Sequence, residues 1–341
     1  GYIYLHKGID EYFYGNYIQS KEYYLLSIDH YSHVSDKVKT QRVKMNEANS
    51  YNNLAIIYKK QSLHSIALQN YQIALSIRSE IGDSIQIANT YLNIGNLYNS
   101  LGNIKKAKEY YANARNTYLK VGNDFGLASA NHNLGLVHER LKEYDEAKKD
   151  YKNSYEVYKR LERKKPMATA LNNLANVFLI NNQFDSVKPY LDQAYGIMDE
   201  MKDSVGICNV LLNFGIYYDK IDENTLAQEC YFDALEIAKD QDILDKESAI
   251  SKNLADHFAK IGNYKLAFEY LNTANLIEEE YSSDEDEDRF ERLDAYYREE
   301  ANKKNLSIKE LELKNSRIEL KNNQRLTIIL LLSLLFIFIL F

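Results

Sequence analysis

The sequence predicts an all-α fold, a superhelical solenoid of stacked helix-turn-helix hairpins, and three observations support this. One asparagine recurs every 40 residues without a slip, at Asn53, Asn93, Asn133, Asn173, Asn213 and Asn253. A small apolar residue follows 14 positions later in each copy, at Ala67, Ala107, Ala147, Val187, Ala227 and Ala267. The residues around both positions are spaced as on a helix. A fixed period of this length indicates one helical unit that is copied and stacked, each copy burying its apolar face against its neighbours.

Each copy contains two helical stripes joined by a turn. In YLNIGNLY (91–98) and LNNLANVF (171–178), an apolar residue follows the Asn, then Gly or Ala, then an aromatic residue three positions further on. A second stripe has the spacing i, i+4, i+7, as in Ala107, Tyr111 and Ala114. Antiparallel helices approach to about 8–10 Å only where the facing side chains are short. We therefore expect Gly95 to face Ala107 where the two helices cross.

These residues carry a resemblance to a known family. The order and spacing of Ile94, Gly95, Tyr98, Gly102, Ala107, Tyr111 and Ala114 resemble the tetratricopeptide repeat. The usual repeat has about 34 residues and ends in a proline, whereas this 40-residue unit lacks that proline, which favours two lengthened helices. Such long repeats are similar to those of bacterial peptide-responsive regulators and kinesin light chains. Six units are predicted over residues 48–281, and residues 1–47 are predicted to form a divergent hairpin of the same kind.

The predicted helix ends carry suitable residues. Gly82-Asp83, Gly122-Asn123 and Asp203-Ser204 fall where a second helix should end and the next first helix should be capped. The chain has two prolines, and both Pro166 and Pro189 lie at predicted helix starts, where a missing N–H costs least.

Composition and motifs exclude several functions for this segment. The formal net charge of −7 argues against direct binding of nucleic acid. The sequence contains no P-loop, GxSxG or CxxC motif, and its seven histidines have no metal-ligand partner at helical spacing. We therefore predict no catalytic residue, no metal site and no cofactor.

The C-terminal part of the chain, from residue 282 onward, differs in composition. The run SSDEDEDR (282–289) is predicted to be an acidic linker. Residues 290–325 form a charged predicted helix in which Leu306, Leu313 and Leu320 are spaced by seven, as in a coiled coil that would allow a homodimer. A second stripe, at Ile308, Leu311 and Ile318, leaves open the alternative that this helix packs partly on the last repeat.

Residues 326–341 (LTIILLLSLLFIFILF) contain no charge. Because a full span needs about 20 residues, we predict a truncated transmembrane helix and a membrane contact there. The resemblance to membrane-anchored sensors of the Bacteroidetes type implies a single-pass protein of the bacterial cytoplasmic membrane with periplasmic repeats. A cytoplasmic position of the repeats stays open, because the positive-inside rule compares two flanks and only one is present.

The recurring asparagines are the candidate binding residues. A carboxamide offers both a donor and an acceptor, so a row of them can hold the main chain of an extended peptide. In related repeats, asparagine at this position lines a concave groove, and the resemblance implies the same here. The alternative is that these side chains brace the adjacent repeat. The other candidates for the groove are Asn96, Asn176, His132, Arg140, Asn89, Asn99, Asn172, Asp219, Lys220 and Lys260.

Three functions fit the sequence. The first is a peptide- or protein-binding scaffold that serves as the sensory region of a membrane-anchored protein of signal transduction or transcription regulation. The second is a membrane-tethered assembly adaptor without an output domain. The third is the receptor part of a histidine kinase whose catalytic module lies outside this chain.

Overall fold

The computed structural model describes residues 1–35 and 38–279 of the chain. In these residues the protein is an all-α helical repeat solenoid. The predicted acidic linker (282–289), charged helix (290–325) and transmembrane helix (326–341) lie outside the described residues. Inside them, no helix combines the length and the apolar character needed to cross a bilayer.

The helices follow one another as antiparallel pairs. An N-terminal pair is formed by α1 (Tyr2–Phe13) and α2 (Tyr17–Ser32). Six further hairpins are α3 (Gln41–Lys60) with α4 (His64–Ile81), α5 (Ser84–Ser100) with α6 (Ile104–Val121), α7 (Asp124–Arg140) with α8 (Tyr144–Arg160), α9 (Lys164–Ile180) with α10 (Val187–Glu200), α11 (Ser204–Lys220) with α12 (Asn224–Asp240), and α13 (Leu244–Lys260) with α14 (264–279). A 3-10 turn, Phe184–Ser186, precedes α10.

The turns repeat as regularly as the helices. One residue with positive φ lies in each turn from Ser62 to Gly262, always at the same interval, so every helix with its turn occupies half of a repeat unit. Glycine occupies some of these positions, such as Gly82 and Gly122, because it adopts positive φ without steric cost. The predicted caps are confirmed: Asp83 accepts from the Gln86 N–H at 3.1 Å, and Asp203 from that of Gly206 at 3.2 Å.

Packing within a hairpin depends on a contact that the sequence did not predict. A Cβ added at Gly95 would lie 2.5 Å from the ring of Tyr111 on the second helix. In the next hairpin, a Cβ added at Gly135 would lie 2.6 Å from the ring of Tyr151, which is fully buried. The glycine therefore provides a notch into which the tyrosine ring of the second helix fits.

The first helices line the inner face of the solenoid. α3 contacts α5, α5 contacts α7, α9 contacts α11 and α11 contacts α13, in addition to the contacts within each hairpin. Between α4 and α12, no second helix makes comparable contacts with the second helix of the next hairpin. Neighbouring hairpins are therefore closer at their first helices, which makes that side the concave one.

Candidate functional site

The inner face of α3, α5, α7, α9, α11 and α13 is the candidate site, because the recurring asparagines lie on these helices next to fully buried residues. We call these six asparagines the ladder. Asn93 precedes Ile94, and Asn133 precedes Leu134, and both apolar side chains are at most 1% exposed. The ladder asparagines are half-buried, except for Asn213, which is buried. They form the floor of the inner face.

A repeated relay of hydrogen bonds connects the glycine notches to this floor. In the hairpin α5–α6, the hydroxyl of Tyr111 passes the notch at Gly95 and donates to Asn96 Oδ1 at 2.7 Å. Asn133 on the next first helix donates to the same oxygen at 3.4 Å. Each relay therefore ties a second helix, its own first helix and the next hairpin together.

The same relay occurs in two other hairpins with different acceptors. Tyr151 donates to Glu139 Oε2 at 3.0 Å, and Asn176 Nδ2 donates to Glu139 Oε1 at 2.8 Å. Burial raises the pKa of Glu139, while both hydrogen bonds oppose that rise. In α11–α12, Tyr231 donates to Asp219 Oδ2 at 2.9 Å, with its ring against the glycine notch of α11. From α3 onward, every described hairpin with a glycine notch contains the relay.

Two ladder asparagines brace neighbouring repeats by a direct amide contact. Asn93 Nδ2 donates to Asn52 Oδ1 at 3.0 Å, and Asn213 Nδ2 donates to Asn172 Oδ1 at 2.9 Å. The amide orientation is fixed in the first pair, because the guanidinium of Arg78 also donates to Asn52 Oδ1, at 3.3 Å. That atom must be an oxygen, so Asn93 presents its nitrogen to it and keeps its own oxygen free.

Arg78 is a buried cation held entirely by neutral acceptors. Its guanidinium donates to Asn49 Oδ1 at 2.8 Å and to Thr90 Oγ1 at 2.5 Å, besides Asn52 and the Gln86 carbonyl. Burial lowers the pKa of Arg78 to about 10. This network joins α3, α4 and α5 beneath the inner face.

Asn173 is the exception in the ladder. Its carboxamide makes no hydrogen bond to another residue of the described chain, so both of its amide groups are free. It lines a pocket of about 220 Å³ between α9 and α11, together with Thr169, Asn172 and Asn209. Lys165 and Asp203, which form an ion pair of 2.6 Å, stand at the same pocket. This pocket has the polar lining that a peptide main chain requires.

The remaining candidates differ in environment. The Arg140 guanidinium donates to Asn99 Oδ1 at 2.7 Å, which joins α7 to α5 on the exposed border of the inner face. His132 is surrounded by other side chains, lies 5.6 Å from the ring of Tyr151 and has an unpartnered Nδ1. Burial lowers the pKa of His132 to about 4, so it is neutral at pH 7.

Four further candidates are bonded within the protein. Lys260 donates to the Asp219 carbonyl and pairs with Asp222 at 2.7 Å. Asn53 accepts from Asn52 Nδ2 at 3.3 Å, and Asn253 donates to the Ala249 carbonyl at 2.8 Å. Asn89 accepts from the Tyr118 hydroxyl at 2.5 Å. Their side chains therefore contribute to the structure of the inner face as well as to its surface.

Sequence reasoning missed His257. Its Nδ1 lies 2.6 Å from Asp219 Oδ1, and its side chain is fully buried between α11 and α13. The equivalent residues in the other units include Ile57, Leu97 and Val137, which are core residues. The sequence signal that could have identified His257 is a titratable residue at a repeat position that these other units fill with apolar residues. In residues 1–35 and 38–279, no group of three or more His, Cys, Asp or Glu side chains could hold a metal ion.

The fold and this polar inner face define a helical-hairpin repeat scaffold. A family model for the tetratricopeptide repeat matches residues 46–120 and 126–200. These residues therefore contain tetratricopeptide repeats. No curated protein sequence matches it significantly.

Solved structures share the fold at low sequence identity. RapI in its apo form has a TM-score of 0.70 and 17% identity over 83% of this chain and 98% of that chain. Aspartyl phosphate phosphatase F from Bacillus subtilis has a TM-score of 0.67 and 12% identity over 81% and 70% of the two chains. The Rap conjugation gene regulator of plasmid pLS20, in complex with the Phr* peptide, has a TM-score of 0.60 and 17% identity over 83% and 74%. At these identities the similarity establishes the fold alone.

Proposed function

We propose that the inner face binds an extended peptide or protein segment, and that the chain is the sensory or interaction region of a membrane-anchored signalling protein. The observation that carries the binding proposal is Asn173, a ladder carboxamide with no partner inside the described chain, in a polar pocket of the inner face. The other ladder asparagines use their carboxamides inside the protein, so the one that keeps both its donor and its acceptor available favours an external ligand. A structural neighbour with peptide bound, the pLS20 regulator, shows that the fold is compatible with this role.

Bracing and peptide binding use different atoms of the same side chains. Asn93, Asn176 and Asn253 donate through Nδ2 to an oxygen inside the protein. The orientation of Asn176 and Asn253 is fixed, because a carboxylate and a backbone carbonyl only accept hydrogen bonds at neutral pH. Their carbonyl oxygens therefore remain as acceptors for peptide N–H groups. The inner face offers acceptors along its length and a complete carboxamide at Asn173.

Replacing Asn133 and Asn173 together by alanine should weaken peptide binding by about 1–3 kcal/mol, at about 0.5–1.5 kcal/mol for each hydrogen bond lost. The melting temperature should change little, because Asn133 makes only a 3.4 Å internal contact and Asn173 makes none inside the described chain. The measurement is fluorescence anisotropy with labelled peptides that were selected on the wild-type protein from a displayed library of random peptides.

Two matched variants make this test specific. Asn113→Ala removes an exposed asparagine from the second helix α6 and should affect neither binding nor stability. Asn213→Ala removes a buried brace, leaves Asn172 Oδ1 unpaired, and should lower the free energy of unfolding by about 1–3 kcal/mol. Loss of stability with unchanged affinity in the Asn133/Asn173 double variant would instead assign the ladder to bracing.

The membrane-anchored role is supported by the uncharged run at residues 326–341. We place the repeats outside the cytoplasmic membrane, as the resemblance to periplasmic sensors implies. The adaptor without an output domain and the receptor part of a histidine kinase are the alternatives. In each case the repeats bind and do not catalyse.

Cysteine labelling tests the orientation. In a Cys208→Ala/Cys230→Ala background, Thr225→Cys places a thiol on the exposed surface of α12. A membrane-impermeant maleimide should label this variant in cells whose outer membrane alone is permeabilised. Labelling that requires lysis of the inner membrane would place the repeats in the cytoplasm and favour the adaptor.

A further inference from the structure

A second pocket on the inner face differs in chemistry from the pocket at Asn173. It has a volume of about 340 Å³ and lies between α11 and α13. Its lining includes Asp219, Tyr231, Asn253, Asp256 and His257. Most of these residues present oxygen or nitrogen atoms that can accept a hydrogen bond. These side chains therefore favour a ligand group that donates hydrogen bonds.

His257 is the centre of this pocket. Its side chain is fully buried, and its Nδ1 lies 2.6 Å from Asp219 Oδ1. An ionised carboxylate only accepts, so Nδ1 carries the proton in this pair. The second ring nitrogen, Nε2, is buried and has no hydrogen-bond partner. In the neutral ring that nitrogen is an acceptor, and an unpaired buried acceptor in a pocket lining calls for a donor from a ligand.

Three further side chains of the pocket keep a free acceptor, while Lys220 and Lys260 line it as donors. The Tyr231 hydroxyl uses its one hydrogen in the bond to Asp219, so its oxygen is left as an acceptor. Asn253 uses Nδ2 in the bond to the Ala249 carbonyl, so its Oδ1 is free. Asp256 is exposed and forms no ion pair in the described part of the chain. Four neighbouring side chains therefore offer acceptors.

The charges around the pocket favour a cation. Lys260 is already engaged with the Asp219 carbonyl and the Asp222 carboxylate, and Lys220 is exposed at the border. The carboxylates of Asp219, Asp222 and Asp256 exceed these two ammonium groups by one negative charge when His257 is neutral. A ligand group with several N–H donors and one positive charge would bond to these acceptors and balance the excess negative charge.

We propose that this pocket is a binding site for an ammonium group, in which His257 Nε2, Asn253 Oδ1 and the Asp256 carboxylate accept its N–H donors. The inference deepens the proposed peptide binding and rests on it in one respect, since a peptide held on the inner face would supply the ammonium. The N-terminal α-ammonium and a lysine ε-ammonium share this chemistry and are the two sources to be distinguished.

Protonation of His257 turns Nε2 from an acceptor into a donor and adds a positive charge beside the site. The groups that face the ring are Asp219 and Lys220 from α11, Tyr231 from α12, and Asp256 and Lys260 from α13, with Asp222 in the adjoining turn. A protonated ring would therefore oppose the binding of an ammonium group at this site.

The pocket is tested first without any peptide. n-Butylammonium is titrated into the full chain, with tetramethylammonium as a probe of equal charge that has no N–H donor, and binding is followed by the ¹⁵N resonance of His257 Nε2. We expect butylammonium to bind at least tenfold more tightly than tetramethylammonium at pH 7.5. Equal affinities for the two cations, or an Nε2 resonance that does not respond, would overturn the proposal.

Two variants and one control locate the effect. Asp256→Asn alters an exposed side chain, so the protein stays folded, and should reduce butylammonium affinity at least threefold. His257→Phe should abolish binding. His33→Gln, on the exposed surface after α2, should leave binding unchanged. Unchanged binding in folded Asp256→Asn and His257→Phe proteins would contradict the site.

Peptide probes identify the source of the ammonium. Pentaalanine amide with a free N-terminus, its N-acetylated form, and acetyl-Ala-Ala-Lys-Ala-Ala-amide are compared at pH 7. Tighter binding of the first peptide than the second assigns an α-ammonium, and tighter binding of the third than the second assigns a lysine. If butylammonium binds at His257 while the Asn133/Asn173 variant keeps its peptide affinity, the ammonium site stands and the proposed ladder function fails. The reverse result rejects the ammonium site alone.

Discussion

Replacing Gly135 by leucine is expected to lower the free energy of unfolding by about 3 kcal/mol or more, at the upper end of the range for overpacked cores. A Cβ at this position would already lie 2.6 Å from the ring of Tyr151, and the remaining leucine atoms have no space to occupy. Tyr151 cannot move aside, because its ring is fully buried and its hydroxyl donates to Glu139. Denaturant unfolding monitored by circular dichroism measures the change.

The chain contains a matched control for this variant and a compensating pair for the smaller change Gly135→Ala. Gly196 is also in a helix, but a Cβ there would meet no atom within 4 Å, so Gly196→Leu should be neutral or stabilising by about 0.5–1 kcal/mol. The next hairpin has Ala175 and Leu191 at the positions of Gly135 and Tyr151, and both are fully buried. The double variant Gly135→Ala/Tyr151→Leu copies that pair and should recover stability relative to Gly135→Ala.

The damage from Gly135→Leu should also be local. Each hairpin of a repeat array is stabilised mainly by its neighbours, so hydrogen exchange should rise first around residues 128–167. A uniform increase along the described repeats would show one cooperative unit and would contradict the description of an array.

Removing Asp150 should destabilise the protein by about 1–3 kcal/mol, because it leaves the buried Nδ1 of His138 without its hydrogen-bond partner. His138 Nδ1 lies 2.8 Å from Asp150 Oδ2, and the two side chains are 8% and 4% exposed. Arg115 approaches the same carboxylate at 3.8 Å, and Glu143 lies 3.5 Å from His138 Nε2. Asp150→Ala is to be measured by chemical denaturation at pH 7.

The neighbouring repeats show what this pair replaces. At the equivalent positions Tyr98 stacks on Tyr110 at 5.5 Å, and Phe178 stacks on Tyr190 at 5.5 Å with nearly parallel rings. The double variant His138→Phe/Asp150→Tyr rebuilds the second stack inside α7–α8. Replacing both partners of a buried polar pair by well-packed apolar residues is often neutral or stabilising, so this double variant should be at least as stable as the wild type. A double variant as unstable as Asp150→Ala would show that the His138–Asp150 pair has a stabilising role of its own.

Some parts of the candidate site could be predicted from the sequence, and others could not. The position of the ladder on the first helices follows from the constant repeat period and the apolar residue that comes after each asparagine. The partners of those asparagines do not follow from it, since Asn93 bonds Asn52 while Asn133 approaches Asn96. The partner is the side chain of the preceding repeat that lies opposite the asparagine on the neighbouring helix. This side chain differs between repeats, although all repeats keep the same sequence period.

The sequence by itself determined the all-α class, the six hairpins and the turns between them. These features are local: helical periodicity, the residue at each cap and the residue with positive φ are set within a few neighbours along the chain. Only the tertiary structure decided that Gly135 accommodates the ring of Tyr151, that Asp219 joins Tyr231 to His257, and that Asn173 remains unpaired. Those contacts join residues far apart along the chain, often in different repeats, and they depend on the distances between helices. A repeated sequence pattern fixes which residues face the next helix, while the packing of particular side chains fixes which atoms meet.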